Sequence, residues 1–335
     1  MAMTNTLLYA LLDAGTAPWT PPTTPPTPPP GDTVKTSAWP TLTDGDTITP
    51  QVRPPESSHA ATIVLAKDGS GDTTTFPAAI DLAVAKQYAW IAAHGRTQAT
   101  PNDRVLISVK PGTYGEPVSR ALPTFISVVA SDPTPGATAI EYGLEIDGGT
   151  YWEGVDVINP TWITTFDPKY AFHVHAGASI IFARCEMANR AKRSGGSGTP
   201  IGMDGLAHST ILMHRVTLTT GVNTNLHGWE KFGPGDGMDV IFSECTFDGG
   251  SFYYTPMNDQ SDDHLWVHKC VGRAIGIDGT NAHAHVSESR LDVPAQNVDR
   301  LTSFAGCVGT LDDRSDWPVP TGGLSARDKQ KWGLS

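Results

Sequence analysis

Basic residues are scarce in this 335-residue sequence, in which 23 Lys and Arg stand against 35 Asp and Glu and the formal net charge is -12. Proteins that bind nucleic acid through its phosphates need clustered Lys and Arg, and no such cluster occurs here. The composition therefore excludes a nucleic-acid-binding protein. It favours neutral or weakly charged partners.

Cysteines and long apolar runs are also few. The four cysteines are widely spaced and form no CxxC pair, which excludes a disulfide scaffold and a zinc knuckle. The only early apolar stretch lies in MAMTNTLLYALLDAGT, is too short to cross a bilayer and follows no basic residues. We therefore expect no signal peptide, no contact with a membrane, no resident metal and no cofactor.

Turn-forming and β-favouring residues are abundant instead, including 34 Gly, and they indicate a mostly β protein. Residues 1–15 resemble a short apolar anchor helix, which would need a partner surface. Residues 16–31 are rich in proline and favour an extended spacer, although a disordered tail fits the same composition. Residues 32–60 carry turn signals and are predicted to form an irregular collar.

The body is predicted to span residues 61–315. TIVLA at Thr62–Ala66 is a short β run, apolar residues recur at helical spacing from Phe76 to His94, and RVLISV at Arg104–Val109 is a second strand. The order strand, turn, helix and strand indicates a helix that caps the start of a sheet. Residues 316–335 are predicted to form a tail that ends in a short helix at Leu324–Ser335.

A weak repeat follows residue 130. Segments such as FARCEMAN, FSECTFDGG and VHKCVGRA align on one small residue per repeat, at intervals of about thirty residues that shorten to about twenty, which is typical of a solenoid. The aligned positions are predicted to form an inward ladder of packing residues. They are Val155, Cys185, Val216, Cys245, Cys270, Ser289 and Cys307.

LAKDGSGDTTTFPAAIDLA at Leu65–Ala83 and RVLISVKPGTYGEP at Arg104–Pro117 resemble the opening of the pectin methylesterases. The resemblance implies an all-β, single-stranded, right-handed parallel β-helix of the pectin lyase-like class, with an N-terminal capping helix. This agrees with the repeat.

The catalytic elements of that family are only partly matched. The family carries an acid/base aspartate in a QDT element, a nucleophilic aspartate in a DFIFG element and an arginine in LGRPW. In this sequence the position of the acid/base aspartate falls near Ala191 and Lys192. The segment IGMDGLA places Asp204 about where the nucleophile would lie, and LGRPW is absent. The esterase reaction needs two carboxylates in different protonation states, and a single one cannot fill both roles. Asp204 is the one candidate catalytic residue, while the place of its partner is occupied near Lys192.

Several other side chains have alternatives that the sequence leaves open. His173 with His175, and His283 with His285, form HxH pairs that could offer two imidazoles to a metal, or could be stacked or solvated histidines. The pairs are predicted to lie about four rungs apart, too far to share an ion. Two acidic clusters fit a calcium site, a glycosidase pair or ordinary turns; they are Asp259, Asp262 and Asp263, and Asp312, Asp313 and Asp316.

Aromatic residues on different coils could form an exposed shelf on which sugar rings stack. We predict Trp266 and Tyr253, together with Asp263, as substrate-binding residues. The same aromatic residues could instead fill the core.

An apolar helix, a proline-rich spacer and a β-helix together resemble the tail and surface proteins of bacteriophages, especially those of actinobacterial hosts. The resemblance implies a homotrimeric protein attached to the virion through residues 1–30, located on the particle surface or tail. We expect a structural or host-glycan-binding minor tail, spike or decoration protein that is not an enzyme. The alternative is a pectinesterase-like carbohydrate esterase or a polysaccharide lyase that acts on host surface polysaccharide.

Overall fold

The computed structural model describes part of the chain, all of it within one compact unit, Val34–Ser335. The described residues are 41–43, 47–49, 59–147, 149–159, 170–174, 180–190, 200–204, 210–219, 229–232, 239–248, 252–254, 264–272, 275–277, 283–287, 289–291, 301–305 and 308–309. They form 27 strands and one α-helix, numbered below in chain order.

The first strands form a small separate pair. β1 (Thr41–Thr43) and β2 (Thr47–Thr49) run antiparallel, with Leu42 opposite Ile48. This pair lies inside the segment that the sequence predicted to be irregular. The predicted anchor helix, proline-rich spacer and C-terminal tail lie outside the described residues, and so do both acidic clusters.

Parallel strands build the rest of the protein in three sheets. The ten-stranded sheet contains β3 (Ala61–Leu65), β4 (Val105–Val109), β6 (Ile126–Ala130), β9 (Tyr151–Glu153), β12 (Ile180–Ala183), β15 (Thr210–His214), β18 (Asp239–Ser243), β21 (His264–His268), β24 (His283–Ser287) and β26 (Leu301–Ala305). The nine-stranded sheet contains β5 (Gly112–Tyr114), β7 (Thr138–Ile140), β10 (Asp156–Asn159), β13 (Glu186–Asn189), β16 (Thr217–Thr219), β19 (Thr246–Asp248), β22 (Val271–Gly272), β25 (Arg290–Leu291) and β27 (Val308–Gly309).

The third sheet is shorter. Its four strands are β8 (Leu144–Ile146), β11 (Phe172–Val174), β14 (Ile201–Asp204) and β17 (Trp229–Phe232). A further parallel pair is formed by β20 (Phe252–Tyr254) and β23 (Ile275–Ile277). From β8 to β19 the chain visits the three sheets in a fixed order, and every strand from β8 to β22 except β17 pairs with the strand three places later. This topology is a parallel β-helix, which confirms the predicted fold class.

An opening helix covers the start of the stack. α1 (Phe76–Ala93) begins where the Thr75 side chain accepts a hydrogen bond from the Ala78 N–H, and it ends before Gly95, which has φ +65°. Its buried face includes Phe76 and Ile80, which belong to the same apolar core as β3 and β4. The sequence prediction of a capping helix between two strands is confirmed, because α1 packs on the strands that precede and follow it.

A sharp corner joins each strand of the ten-stranded sheet to the next strand of the nine-stranded sheet from β9 to β22. One residue at each of these corners has a positive φ; they are Gly154, Arg184, Arg215, Glu244 and Lys269. The residue after each of them is buried and belongs to the predicted ladder; these residues are Val155, Cys185, Val216, Cys245 and Cys270. Ser289 is buried at the next such position, and the backbone N–H of Cys270 donates to its Oγ at 3.1 Å.

The ladder thus confirms the sequence alignment, with Cys307 outside the described residues. The three described cysteines are free thiols, and the N–H of Cys245 donates to the Sγ of Cys270 at 3.3 Å. Burial raises the pKa of the Cys185 thiol well above its usual value. These cysteines therefore act as packing residues, since a buried protonated thiol behaves as a small hydrophobe.

Aromatic side chains fill the core of the β-helix next to the capping helix α1. Trp152 makes edge-on contacts with Phe76 of α1 and Phe172 of the four-stranded sheet, with ring centroids 6.1 Å and 4.9 Å apart. Its indole N–H donates to the Val155 carbonyl at 2.6 Å. One buried side chain therefore links the cap, two of the sheets and the corner ladder. Within the described residues, no helix is long and apolar enough to cross a membrane.

Candidate functional site

One outward register position of the four-stranded sheet holds a polar residue on three of its four strands. Glu145, His173, Gly202 and Glu230 occupy matching register positions on β8, β11, β14 and β17. The residues on either side of His173, Phe172 and Val174, lie in the core, so the matching positions belong to the opposite, outward face. We call these four residues the polar column.

Glu145 and His173 form a hydrogen-bonded pair within the column. Nδ1 of His173 lies 2.9 Å from Oε2 of Glu145, and the two side chains remain 21% and 35% exposed. When Nδ1 carries the proton it donates to the carboxylate, which fixes the orientation of the imidazole ring. The pair therefore offers solvent an oriented imidazole and a partly exposed carboxylate.

Gly202 sits in the column because a neighbouring ring occupies the space of a side chain. A Cβ at this position would overlap the ring of Tyr170. The rings of Tyr170 and His173 are tilted by 40°, with centroids 5.4 Å apart. Tyr170 thus fills the gap in the column and supports the imidazole from the side.

Asp204, the predicted catalytic residue, lies on the same strand as Gly202. It is two residues further along β14, which places it on the same face, and its register partner on β17 is Phe232. Glu230 is the register partner of Gly202 on β17. Three acidic residues and one histidine therefore share one face of four adjacent strands, while Lys192, the predicted replacement for the acid/base, lies outside the described residues.

The predicted substrate-binding residues do not gather at one place. Tyr253 lies at the centre of β20, paired with Gly276 of β23. Trp266 lies on β21 in the ten-stranded sheet and is only 4% exposed, so the expectation of an exposed stacking ring is wrong for this residue. Leu212 and Ile241, at the matching register positions on β15 and β18, are also buried, so this row of the outer face is not exposed. Asp263 lies outside the described residues.

The two HxH pairs fall in different sheets. His173 is on β11, and His283 and His285 are on β24 of the ten-stranded sheet, whereas His175 lies outside the described residues. The coil of His173 contributes β12 to the ten-stranded sheet. From β12 the sheet continues through β15, β18 and β21 to β24, so the two pairs are four strands apart, as predicted.

A second group of polar contacts lies on the ten-stranded sheet. The hydroxyl of Tyr151 donates to Glu153 at 2.6 Å, and Glu153 pairs with Arg184. Nδ1 of His214 lies 3.3 Å from Oγ of Ser243, and burial lowers the pKa of this histidine. Ser243 is fully buried, so this serine cannot reach a polymeric substrate as a nucleophile.

Sequence reasoning missed Glu145, Tyr170 and Glu230. Glu145 and His173 are separated by 28 residues, about one coil, and this spacing was the signal that could have joined them. The sequence alignment used the corner residues alone. Because the loops between coils differ in length, it did not show which residues occupy equivalent positions on the four-stranded sheet.

Three solved structures resemble this chain at low identity. YbhC of Escherichia coli is 12% identical with a TM-score of 0.37, and the match covers 80% of this chain and 81% of that one. The pectin methylesterase from carrot is 14% identical with a TM-score of 0.37, covering 84% and 88% of the two chains. The pectin methylesterase from Aspergillus niger is 13% identical with a TM-score of 0.36, covering 84% and 97%.

No protein-family model matches the sequence, and no curated protein matches it significantly. At these identities and TM-scores, the fold assignment rests on the strand register of this chain itself.

Proposed function

We propose that this protein binds a glycan along the outer face of the four-stranded sheet. The observation that carries the proposal is the exposed pair of Glu145 and His173 in the polar column. Parallel strands repeat at roughly 4.8 Å, so Glu145 and His173 place two hydrogen-bonding groups side by side on adjacent strands. A linear polymer with hydroxyl groups on every unit suits such a surface.

The chemistry of the column fits a neutral carbohydrate. A carboxylate accepts hydrogen bonds from two hydroxyl groups, and the imidazole adds one donor or acceptor beside it. The net charge of -12 disfavours polyanionic ligands such as nucleic acids. Sugar hydroxyls do not suffer this repulsion.

Attachment to a virion through residues 1–30 is the second part of the proposal. It is supported by the apolar stretch around Leu7–Leu12 and the run of prolines from Pro18 to Pro30, which suit an anchor on a spacer. A homotrimer on a phage tail or surface remains our expectation. Co-sedimentation of residues 1–31, fused to a fluorescent carrier, with purified virions tests attachment, and a fusion that stays in the supernatant contradicts it.

Glycan binding is tested by screening the full chain against immobilised polysaccharides and measuring the affinity for the best ligand. Glu145→Gln keeps the shape of the side chain and removes its charge, and we expect binding at least about tenfold weaker because a charge-assisted hydrogen bond contributes about 1.5–3 kcal/mol. Glu141→Gln is the matched control, since Glu141 is an exposed carboxylate that lies just before the same strand. Equal affinities for both variants and the parent chain contradict the proposed site.

A carbohydrate esterase is the second candidate function, and the placement of Asp204 favours it. Asp204 shares a face with Glu230, Glu145 and His173, which could supply the second carboxylate or the proton donor that the reaction requires. Release of methanol or acetate from esterified polysaccharide, abolished by Asp204→Ala, would establish this activity. Binding without release, unchanged in Asp204→Ala, would leave the protein a binding appendage.

A further inference from the structure

Arg104 carries a positive charge for which the described residues supply no counter-charge. It lies just before β4 and is partly buried. Burial lowers its pKa to about 10, and no described carboxylate lies close enough to offset this shift. The guanidinium therefore stays protonated at neutral pH, in a place where a cation without a partner is costly.

The carboxylate next to Arg104 in the sequence is already engaged. Asp103 is fully buried and pairs with Arg96, whose Nη1 donates to its Oδ2 at 2.6 Å. The same carboxylate accepts the backbone N–H of Thr100 at 2.8 Å. Asp103 is thus neutralised by a different arginine, and the described hydrogen-bond partners of Arg104 are neutral groups.

The hydrogen bonds of Arg104 all come from one end of its guanidinium. Nη1 donates to the Gly149 carbonyl at 2.6 Å and to Oγ of Ser127 at 3.4 Å. Nε and Nη2 donate no hydrogen bond to the residues that the structure describes, and neither nitrogen is fully buried. These two nitrogens form the edge through which an arginine binds a carboxylate by two parallel hydrogen bonds. This edge of Arg104 is therefore open to solvent.

The residues around Arg104 hold it in place. Its Cζ atom lies 5.8 Å from the centroid of the Phe125 ring, within the range of a cation–π contact. Phe125 has φ +62°, an unfavourable conformation for a bulky residue, and its ring lies so close to Gly149 that a Cβ there would overlap it. Gln87 of α1 donates to the carbonyls of the residues before Arg104 and Phe125, at 3.3 Å and 3.0 Å. Such strained conformations cluster at binding sites, where the surrounding structure maintains them.

We propose that the edge formed by Nε and Nη2 of Arg104 binds a carboxylate, carried by a small organic acid or by an acidic sugar. A single guanidinium of fixed orientation suits a group with one negative charge and two oxygens. The net charge of -12 disfavours polyanions and doubly charged groups such as phosphate esters. The site is separate from the polar column and does not depend on glycan binding there, since Arg104 precedes a strand of the ten-stranded sheet.

The test follows the arginine Nε–H groups of the nitrogen-labelled full chain by NMR during titration with acetate, glucuronate and glucose. Acetate and glucuronate should each shift the signal of Arg104, which is assigned from its loss in Arg104→Gln, and glucose should leave it unchanged. Similar affinities identify the carboxylate alone as the ligand, whereas tighter binding of glucuronate identifies an acidic sugar. If neither acid shifts this signal, the proposal is wrong.

Variants at two arginines assign the site, with affinities taken from the signals of the bound acid. Arg104→Gln should weaken binding by at least about tenfold, because it removes two charge-assisted hydrogen bonds. Arg104→Lys keeps the charge but loses the two-pronged edge, so its affinity should lie between those of Arg104→Gln and the parent chain. Arg120→Gln is the matched control: Arg120 already pairs with Asp81 at 2.9 Å, and its replacement should leave binding unchanged.

Circular dichroism shows whether each variant remains folded. Binding that survives in folded Arg104→Gln overturns the proposal, as does binding lost only in His173→Gln, which would place the carboxylate at the polar column. If Arg104→Gln does not fold, Arg104→Lys decides, since an affinity equal to that of the parent chain contradicts a two-pronged contact.

Discussion

Replacing Trp152 by alanine should remove the contact that joins the helical cap to the coils. Trp152 is fully buried between Phe76 and Phe172. Truncation of a buried Phe or Trp to Ala costs about 3–5 kcal/mol, and each aromatic contact adds about 0.5–1.5 kcal/mol beyond the area it buries. The lost N–H donor also leaves the Val155 carbonyl without this partner. We expect the free energy of unfolding to fall by about 5 kcal/mol, at the upper end of the range.

Two variants separate the parts of this effect. Trp152→Phe keeps an aromatic ring and removes the hydrogen bond, so its loss should be smaller, about 1–3 kcal/mol. Trp90→Ala is the matched control, because Trp90 lies on the outer side of α1 with 38% of its surface exposed, and its replacement should change stability by less than about 1 kcal/mol.

The assay is urea unfolding followed by far-ultraviolet circular dichroism, which reports the β-helix directly. The midpoint and slope of each transition give the free energy of unfolding. A loss below about 2 kcal/mol for Trp152→Ala, or a loss equal to that of Trp90→Ala, would refute the view that the cap is held to the coils through this residue.

Three further predictions concern the corners, the thiols and one half-buried histidine. Gly154→Ala should destabilise the protein by about 1–2 kcal/mol in urea unfolding, because Gly154 has φ +68° and the new Cβ would lie 3.2 Å from that of Ala130; an unchanged midpoint contradicts this. In a Cys307→Ser variant, a thiol reagent should label no cysteine in the native protein and three after unfolding, since the remaining thiols are buried; rapid native labelling contradicts the ladder. Desolvation lowers the pKa of His214 below 6.5, so the unfolded chain binds the proton more tightly. The contribution of His214 to stability is therefore present above about pH 6.5 and is lost as the pH falls through the lowered pKa of the folded state. His214→Gln should remove this loss, so that the free energy of unfolding changes less with pH in this range. An identical pH dependence in the variant contradicts the prediction.

The fold could be predicted from the sequence because its signals are local. Each corner from Gly154 to Lys269 places one buried residue after a residue in the left-handed region, so the corner repeats as a short pattern whatever the length of the loops. The opening strand, turn and helix also lie within about fifty residues. The exposure of Trp266 was predicted wrongly because alternation along a strand assigns it to the outer face, and the sequence does not show that this face is covered.

The sites depend instead on register between coils, which loop length conceals. Glu145 and His173 are 28 residues apart, whereas the buried pair Cys270 and Ser289, one coil apart, is separated by 19. A search at any single period therefore aligns one of these pairs and misaligns the other. His264 and His283 become neighbours because their coil has the short spacing, and Glu145 and His173 because theirs has the long one. Pairing between strands sets the register from coil to coil, while the loops differ in length. Residues from different coils can therefore become neighbours on separate sheets of one solenoid without sharing a sequence period.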